Sequence, residues 1–433
     1  MSIMTASNNV AILVGGGPAP GINGVIAAAT IRARLAGLEV IGIRDGFEHL
    51  MTGAVSHVMP LTIEIVSRIH LRGGSQIGTS RGNPTKDPAQ MAHVVGGLQR
   101  LGVSQLITIG GDDTAFSAMT LAARAGGSIR VVHVPKTIDN DLDLPPHVDT
   151  FGYQTARHYG AAIVESLMVD AMTTSRWYFV VAMGRKAGHL ALGIGKAAGA
   201  TVTLIGEEFG HPIRLRTLVD TLAGAIIKRL SEGRRDGVAI IAEGVVLDLA
   251  PEDLAGLDDV ERDAHGHVRL AEVNIGDLLK AQVQERLRAF GVHTTIASKN
   301  IGYELRCADP IPFDVEYTRD LGYCAAKYLL EGGSDAMISM QGGHFVPIPF
   351  AQMIDPATGR TRVRLADISS TGYSIARRYM IRLRRDDLDD PRKLARLAAT
   401  IHLSPEAFRE EFQDLVSTEP RPLVLRDPLT TSR

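Results

Sequence analysis

Cysteine is scarce in this 433-residue chain: Cys307 and Cys324 are the only two. Their spacing fits no metal or redox pair, which excludes a disulfide framework and predicts two free thiols in a reducing cytoplasm. An excess of either charge is also missing, since 46 Lys and Arg stand against 48 Asp and Glu. A basic face for nucleic acid or for a membrane surface therefore finds no support. No apolar run approaches the roughly 18 to 20 residues that cross a bilayer. The opening residues, MSIMTASNN, hold no basic targeting region and lead straight into a strand-like segment. No internal repeat of about 20 to 50 residues occurs. These absences together predict a cytoplasmic protein without nucleic-acid or membrane partners.

What is present is ordinary for a globular chain, with 45% apolar and 22% charged residues. The length suffices for about two to three domain-sized cores. Glycine is abundant at 45 residues, much of it clustered after apolar runs, as in backbone-lined ligand loops. Val10–Val14, Leu38–Ile43, Leu106–Ile109 and Arg130–Val134 read as strands, with helical patterns from Ile22 and over Ala115–Ala125. Trp177–Met183 and Val238–Ala242 repeat the theme further on. Strand, loop, helix, strand is the signature of parallel α/β units, whose ligands sit beyond the carboxyl ends of strands. The stretch from Pro251 to about Val273 reads as a charged, irregular surface insertion. From about Arg384 onward the chain reads as a peripheral helical extension punctuated by Pro391 and Pro405.

Several strand-end loops carry chemistry. Gly15-Gly16-Gly17-Pro18-Ala19-Pro20-Gly21 precedes a helix, so its amides suit an anion, although it matches neither the dinucleotide fingerprint nor the P-loop. A purely structural tight turn is the competing explanation. Gly110-Gly111-Asp112-Asp113-Thr114 sets two carboxylates at a strand mouth. One suits Mg²⁺, which bridges phosphate oxygens, while an acidic helix cap is the plainer alternative. Pro135-Lys136-Thr137-Ile138-Asp139-Asn140-Asp141 holds a lysine, a hydroxyl and two carboxylates within six residues. There a carboxylate can take a proton from an attacking hydroxyl while lysine neutralises phosphoryl charge. Arg185 and Glu243, each following a strand, suit a phosphate and a sugar hydroxyl, or are simply surface charges.

Taken together these loops resemble the phosphofructokinase family. GGGPAPGIN, GGDDT, PKTIDND, MGRKAGHLAL and GYELR match its pattern in order from residue 10 to about 306, with AEG at 242–244; residues 307–433 match less distinctly. The resemblance implies an α/β fold of two doubly wound Rossmann-like lobes, an active site in the cleft between them, and a C-terminal helical extension. The donor lobe would be 1–152 with about 305–350, and the sugar-phosphate lobe 153–304. Residues 351–433 would return to the sugar lobe and form the extension. It further implies Asp139 as general base toward the sugar 1-hydroxyl, Thr137 on the phosphoryl group in flight, and Asp112 on Mg²⁺, with help from Asp141. Gly17 and Arg81 would meet the donor. Ile138, Met183, Gly184, Arg185 and Glu243 would line the sugar-phosphate pocket, with Tyr303 and Arg306 gripping the acceptor's own phosphate. Arg176, seven residues before Met183, would be donated by a neighbouring subunit of a homodimer or homotetramer. Lys299 is the candidate for a second such group.

Two positions speak to the donor. The ATP-using branch of the family usually has glycine after the GGD aspartate and before TID; here stand Asp113 and Lys136. An aspartate adds bulk and like charge where a nucleotide α-phosphate would lie, and Lys136 can stabilise charge on pyrophosphate. Pro18 and Tyr303 also depart from residues common in the ATP branch, whose effector-binding positions do not map cleanly here either. The resemblance thus implies reversible, Mg²⁺-dependent transfer from pyrophosphate to fructose 6-phosphate, serving glycolysis and gluconeogenesis, with little allosteric control. An ATP-dependent kinase, a pyrophosphate enzyme for another acceptor such as sedoheptulose 7-phosphate, and a non-catalytic regulatory subunit are the rivals. The last should have lost Asp112, Thr137, Asp139 or Arg185, and all four are present.

Overall fold

Runs of β-branched and apolar residues bounded by glycine build the strands of this chain, and small or apolar residues at helical spacing build the cover over them. The computed structural model describes residues 8–145, 147–255, 273–359, 361–420 and 423–425. The chain divides into two compact units, Met1–Tyr159 with Gly302–Arg364 and Gly160–Ile301 with Leu365–Arg433. Sequence alone placed the crossings near 152, 304 and 350. The first division instead falls within the continuous helix Tyr153–Thr174, and 351–364 belongs to the first unit.

In chain order the strands are β1 (Asn9–Val14), β2 (Val40–Ile43), β3 (Val58–Pro60), β4 (Val103–Gly110) and β5 (Arg130–Pro135). Then come β6 (Trp177–Ala182), β7 (Val202–Leu204), β8 (Gly237–Ala242) and β9 (Ile296–Ile301). Last are β10 (Ala336–Met337), β11 (Met340–Gln341), β12 (His344–Phe345) and β13 (Ile348–Pro349). The first unit has a seven-stranded sheet in the order β13-β10-β5-β4-β1-β2-β3. It is parallel except at its two edges, where β3 and β13 run antiparallel to their neighbours. Along β1 the side chains alternate between two cores: Ala11 and Leu13 face one, Val10, Ile12 and Val14 the other. A sheet buried on both faces needs helices on both, which is the doubly wound arrangement. After β2 and β3 the chain returns to the other side of β1 to lay down β4, so the strand order reverses between β1 and β4. Ligands of such sheets collect beyond the strand ends at that reversal. Gly15 and Gly111 stand there.

The second unit holds a four-stranded parallel sheet, β7-β8-β6-β9. Its C-terminal helices are Arg385–Asp389, Pro391–Thr400 and Pro405–Ser417. Pro391 and Pro405 each open a helix, where the missing N–H costs nothing, and Asp390 and Ser404 cap them. The extension is not peripheral. Leu397, Phe408 and Phe412 are fully buried, and the last two helices pack on the helix Leu215–Ser231. The stretch read as an irregular insertion starts with a short helix, Pro251–Ala255; residues 256–272 lie outside the described part.

Candidate active site

In the first unit, Thr114 accounts for two of the glycines. A Cβ on Gly15 would lie 2.4 Å from Thr114 Oγ1, and one on Gly110 would lie 2.3 Å from Thr114 Cβ. The ends of β1 and β4 can close on the first turn of the helix Asp112–Ala125 only without side chains there. That helix begins at Asp112 rather than at Ala115, because an acidic first turn complements its positive end. Asp112 Oδ1 accepts the Asp113 N–H at 2.9 Å; Asp112 is half-buried and Asp113 exposed.

Beside β4, β5 delivers Lys136. Its N–H donates to the Gly110 carbonyl at 2.8 Å, which ties the two strand-end loops together. Its side chain is buried, and the ammonium donates to the Gly17 carbonyl of the glycine loop. Burial pulls the Lys136 pKa down to about 8; Asp139 opposes that pull, Arg306 adds to it, and Asp141 and Arg81 act in the same two senses more weakly. Arg306 also comes close to this loop: a Cβ on Gly17 would sit 2.9 Å from Arg306 Nη1, the movable tip of that side chain. The Arg306 guanidinium lies 4.6 Å from the centroid of the exposed Tyr303 ring. Thus Gly17, Arg81, Lys136, Asp139, Tyr303 and Arg306 all belong to the first unit.

The loop after Lys136 is fixed by its own hydroxyls and amides. The Asp139 N–H donates to Thr137 Oγ1 at 3.0 Å, and Thr150 Oγ1 donates to the Thr137 carbonyl at 2.7 Å. Asn140, at φ 57°, accepts the Thr150 N–H on Oδ1 at 3.0 Å and donates to Asp149 at 2.8 Å. Asparagine tolerates that left-handed conformation better than most residues. Ile138 is buried as an anchor while Asp139 and Asp141 stay half-buried.

In the second unit, Met183, Gly184 and Arg185 follow β6, and Glu243 follows β8. The Gly244 N–H donates to the Gly184 carbonyl at 3.1 Å, and a Cβ on Gly244 would lie 2.6 Å from the Arg185 carbonyl oxygen. The loops bearing Arg185 and Glu243 are therefore pressed together, with both side chains exposed. Met183 is held by its N–H to the Ile301 carbonyl at 3.0 Å. Glu207 Oε1 accepts the N–H groups of Gly188 and Ala366, at 2.8 and 3.0 Å. Arg176 sits elsewhere, just before β6, with Nε 3.9 Å from Asp170. At ~3.3 Å per residue, the seven positions to Met183 put it about 23 Å from the Met183–Arg185 end of the same strand.

Among the described residues no group of three or more His, Cys, Asp or Glu could cage a metal. A Mg²⁺ ion held by one or two carboxylates and completed by substrate phosphates needs no such cage, and Asp112 at the strand-order reversal fits that donor set. Sequence reasoning missed two residues that shape these loops. His133, buried in β5, bonds the Gly110 carbonyl, and Arg364 reaches the 140–148 segment from more than 200 positions away. Neither carries a local signal: one lies inside an apolar strand, the other is a lone arginine in an irregular stretch.

Largely parallel, doubly wound sheets with glycine, lysine and carboxylate loops at their strand ends define an α/β protein of the Rossmann-like class. The sequence profile described as "Phosphofructokinase" matches residues 9–329, and the chain belongs to the phosphofructokinase family. It is 52% identical to a pyrophosphate–fructose 6-phosphate 1-phosphotransferase of Thermotoga maritima, over 94% of this chain and 98% of that one. A protein of the same description from Naegleria fowleri is 49% identical over 96% and 98% of the two chains. Among solved structures, a pyrophosphate-dependent phosphofructokinase from Marinobacter aquaeolei shares the fold, with TM-score 0.64 at 16% identity over 92% of each chain.

Proposed function

We propose that this chain transfers a phosphoryl group reversibly between pyrophosphate and the 1-hydroxyl of fructose 6-phosphate. One observation carries the donor assignment. Lys136 is delivered buried onto the glycine loop at Gly17, one strand over from Asp113, so a cation and an anion stand at the two positions where the ATP-using branch that the motifs resemble usually has glycine. Pyrophosphate offers a small, dense charge that a desolvated ammonium stabilises strongly, whereas Asp113 opposes a further phosphate by like charge. The names of the Thermotoga and Naegleria relatives support the same donor and acceptor.

In the forward direction Asp139 takes the proton of the sugar 1-hydroxyl as that oxygen attacks the terminal phosphorus of pyrophosphate. The bond to the bridging oxygen breaks, and phosphate leaves. Lys136 and the Gly17 loop hold the donor, and Thr137 faces the group in transit. Mg²⁺, with Asp112 as its carboxylate, would neutralise charge on the phosphate oxygens. Met183, Gly184, Arg185 and Glu243 would serve the sugar phosphate, with Tyr303 and Arg306 on the acceptor's phosphate. Arg176, about 23 Å along its strand from Met183, is better placed to serve a neighbouring subunit than its own pocket, which favours a homo-oligomer.

The deciding experiment is a coupled assay that offers pyrophosphate or ATP with fructose 6-phosphate or sedoheptulose 7-phosphate. kcat/KM should be far higher with pyrophosphate than with ATP, and highest with fructose 6-phosphate. Equal or better turnover with ATP overturns the donor, and preference for the heptulose overturns the acceptor.

A further inference from the structure

We infer that Arg364 is a positioning residue for the loop that bears Asp139 and Asp141. Its Nη1 donates to the carbonyls of Val148 at 2.8 Å, Pro145 at 3.2 Å and Leu144 at 3.3 Å. Its Nε donates to the Asn140 carbonyl at 3.2 Å, and Nη2 donates to Asn140 Oδ1. The backbone makes the same connection, with Arg364 N–H to the Asp141 carbonyl at 2.8 Å and an antiparallel bridge between Leu142 and Val363. One planar fork with five N–H donors thus meets five oxygens of a single segment, 140–148, whose described residues belong to no helix or strand. A lysine ammonium, with three donors on a flexible stem, could not reproduce this.

Thr137 and Thr150 hold the loop by its own threonines; Arg364 holds it from beyond residue 329, where the family match ends. Asn140 lies directly between the two carboxylates, so its two contacts to Arg364 set the backbone on which both depend. The role follows from the proposed use of Asp139, and it separates orientation of the base from binding of the substrates.

Arg364→Ala should keep both KM values within about threefold while kcat falls by about 10², the scale of a 1 Å misplacement. Added guanidinium at millimolar concentration should recover kcat at least several-fold and saturate, whereas methylammonium should not. Arg364→Lys should fall between the wild type and Arg364→Ala. A folded Arg364→Ala enzyme with kcat within twofold of wild type, or with a loss that guanidinium leaves untouched, overturns the role. Amide hydrogen exchange supplies a readout that needs no turnover. Exchange across 140–150 should rise at least tenfold in Arg364→Ala, or in Arg364→Lys should the alanine variant not fold, with β4 unchanged. Unchanged exchange overturns the clamp. Wild-type protein inactive with every donor would overturn the proposed reaction instead, and the exchange result would still decide the clamp.

Discussion

Burial strips the Lys136 ammonium of most of its water and holds its pKa down to about 8 from the ordinary 10.5, with Asp139 opposing that pull and Arg306 adding to it. Because its folded pKa is depressed, the cation is complete below about 8 and is lost as pH rises through that value. kcat/KM for pyrophosphate, which reports the free enzyme, should therefore decline above about pH 8. In the bound complex the donor's negative charge holds the proton, so the decline in kcat should move to higher pH. Lys136→Arg cannot titrate in this range, and a decline that persists unchanged in that variant would assign it to another group. Asp113→Gly should raise ATP use and Lys136→Gly should raise it further, while loss of the lysine lowers pyrophosphate turnover by about 10². Rates with both donors, measured on the same preparations, check this. These residues were legible in the sequence because they fall in short motifs at strand ends. Illegible were the Lys136 bond to Gly17 and the approach of Arg306 to that glycine, which arise only when distant loops meet.

At the scale of elements, β4 and β5 share a polar connection inside an otherwise apolar face. His133 is fully buried, and burial pulls its pKa down to about 3. Nε2–H donates to the Gly110 carbonyl at 3.0 Å, which leaves Nδ1 to accept from Thr108 Oγ1 at 2.9 Å. The neutral ring and Lys136 N–H therefore grip the same carbonyl, the one that precedes Gly111 and Asp112. Since the folded pKa lies below 6.5, the unfolded chain takes up the proton first. Stability contributed here is intact above about pH 6.5 and declines as pH falls toward 3. His133→Leu should show a smaller drop in Tm between pH 7 and pH 5 than wild type, together with a lower kcat from the loosened Gly110 turn. An equal drop in both proteins would place the acid sensitivity elsewhere. The strands themselves were readable from their apolar runs. The helix start was misplaced by three residues because Asp112 and Asp113 look like loop and act as an acidic first turn.

At the scale of the whole molecule, the two doubly wound sheets were legible from the alternation of strands and helices. The points where the chain changes unit were not: one falls inside an unbroken helix, and the return at 302–364 ends on a clamp whose acceptors lie in 140–148. Burial of Leu397, Phe408 and Phe412 likewise needed the fold to reveal it, since charged faces dominate those helices in sequence. The proposed use of Arg176 by a neighbouring subunit has its test at this scale. Asp139→Asn and Arg176→Ala should each be nearly inactive alone. Refolded together, they should give mixed dimers in which one site carries both lesions and one carries neither, recovering toward half the wild-type activity. Stable mixed dimers that stay inactive would return Arg176 to its own chain.

Arg364 also imposes an order on biosynthesis. The ribosome releases Asp139 long before it reaches the arginine that holds the loop in place. At synthesis rates of about 5–20 residues per second, the interval is roughly 10 to 45 seconds. During that time the helix Pro312–Leu330, which packs on the helix Ile22–Arg34, must also be awaited. The amino-terminal unit consequently cannot mature as an early, independent product. It spends the greater part of translation without its last segment, and so without the helix whose Leu321, Ala325 and Leu329 pack into the core on one face of its sheet.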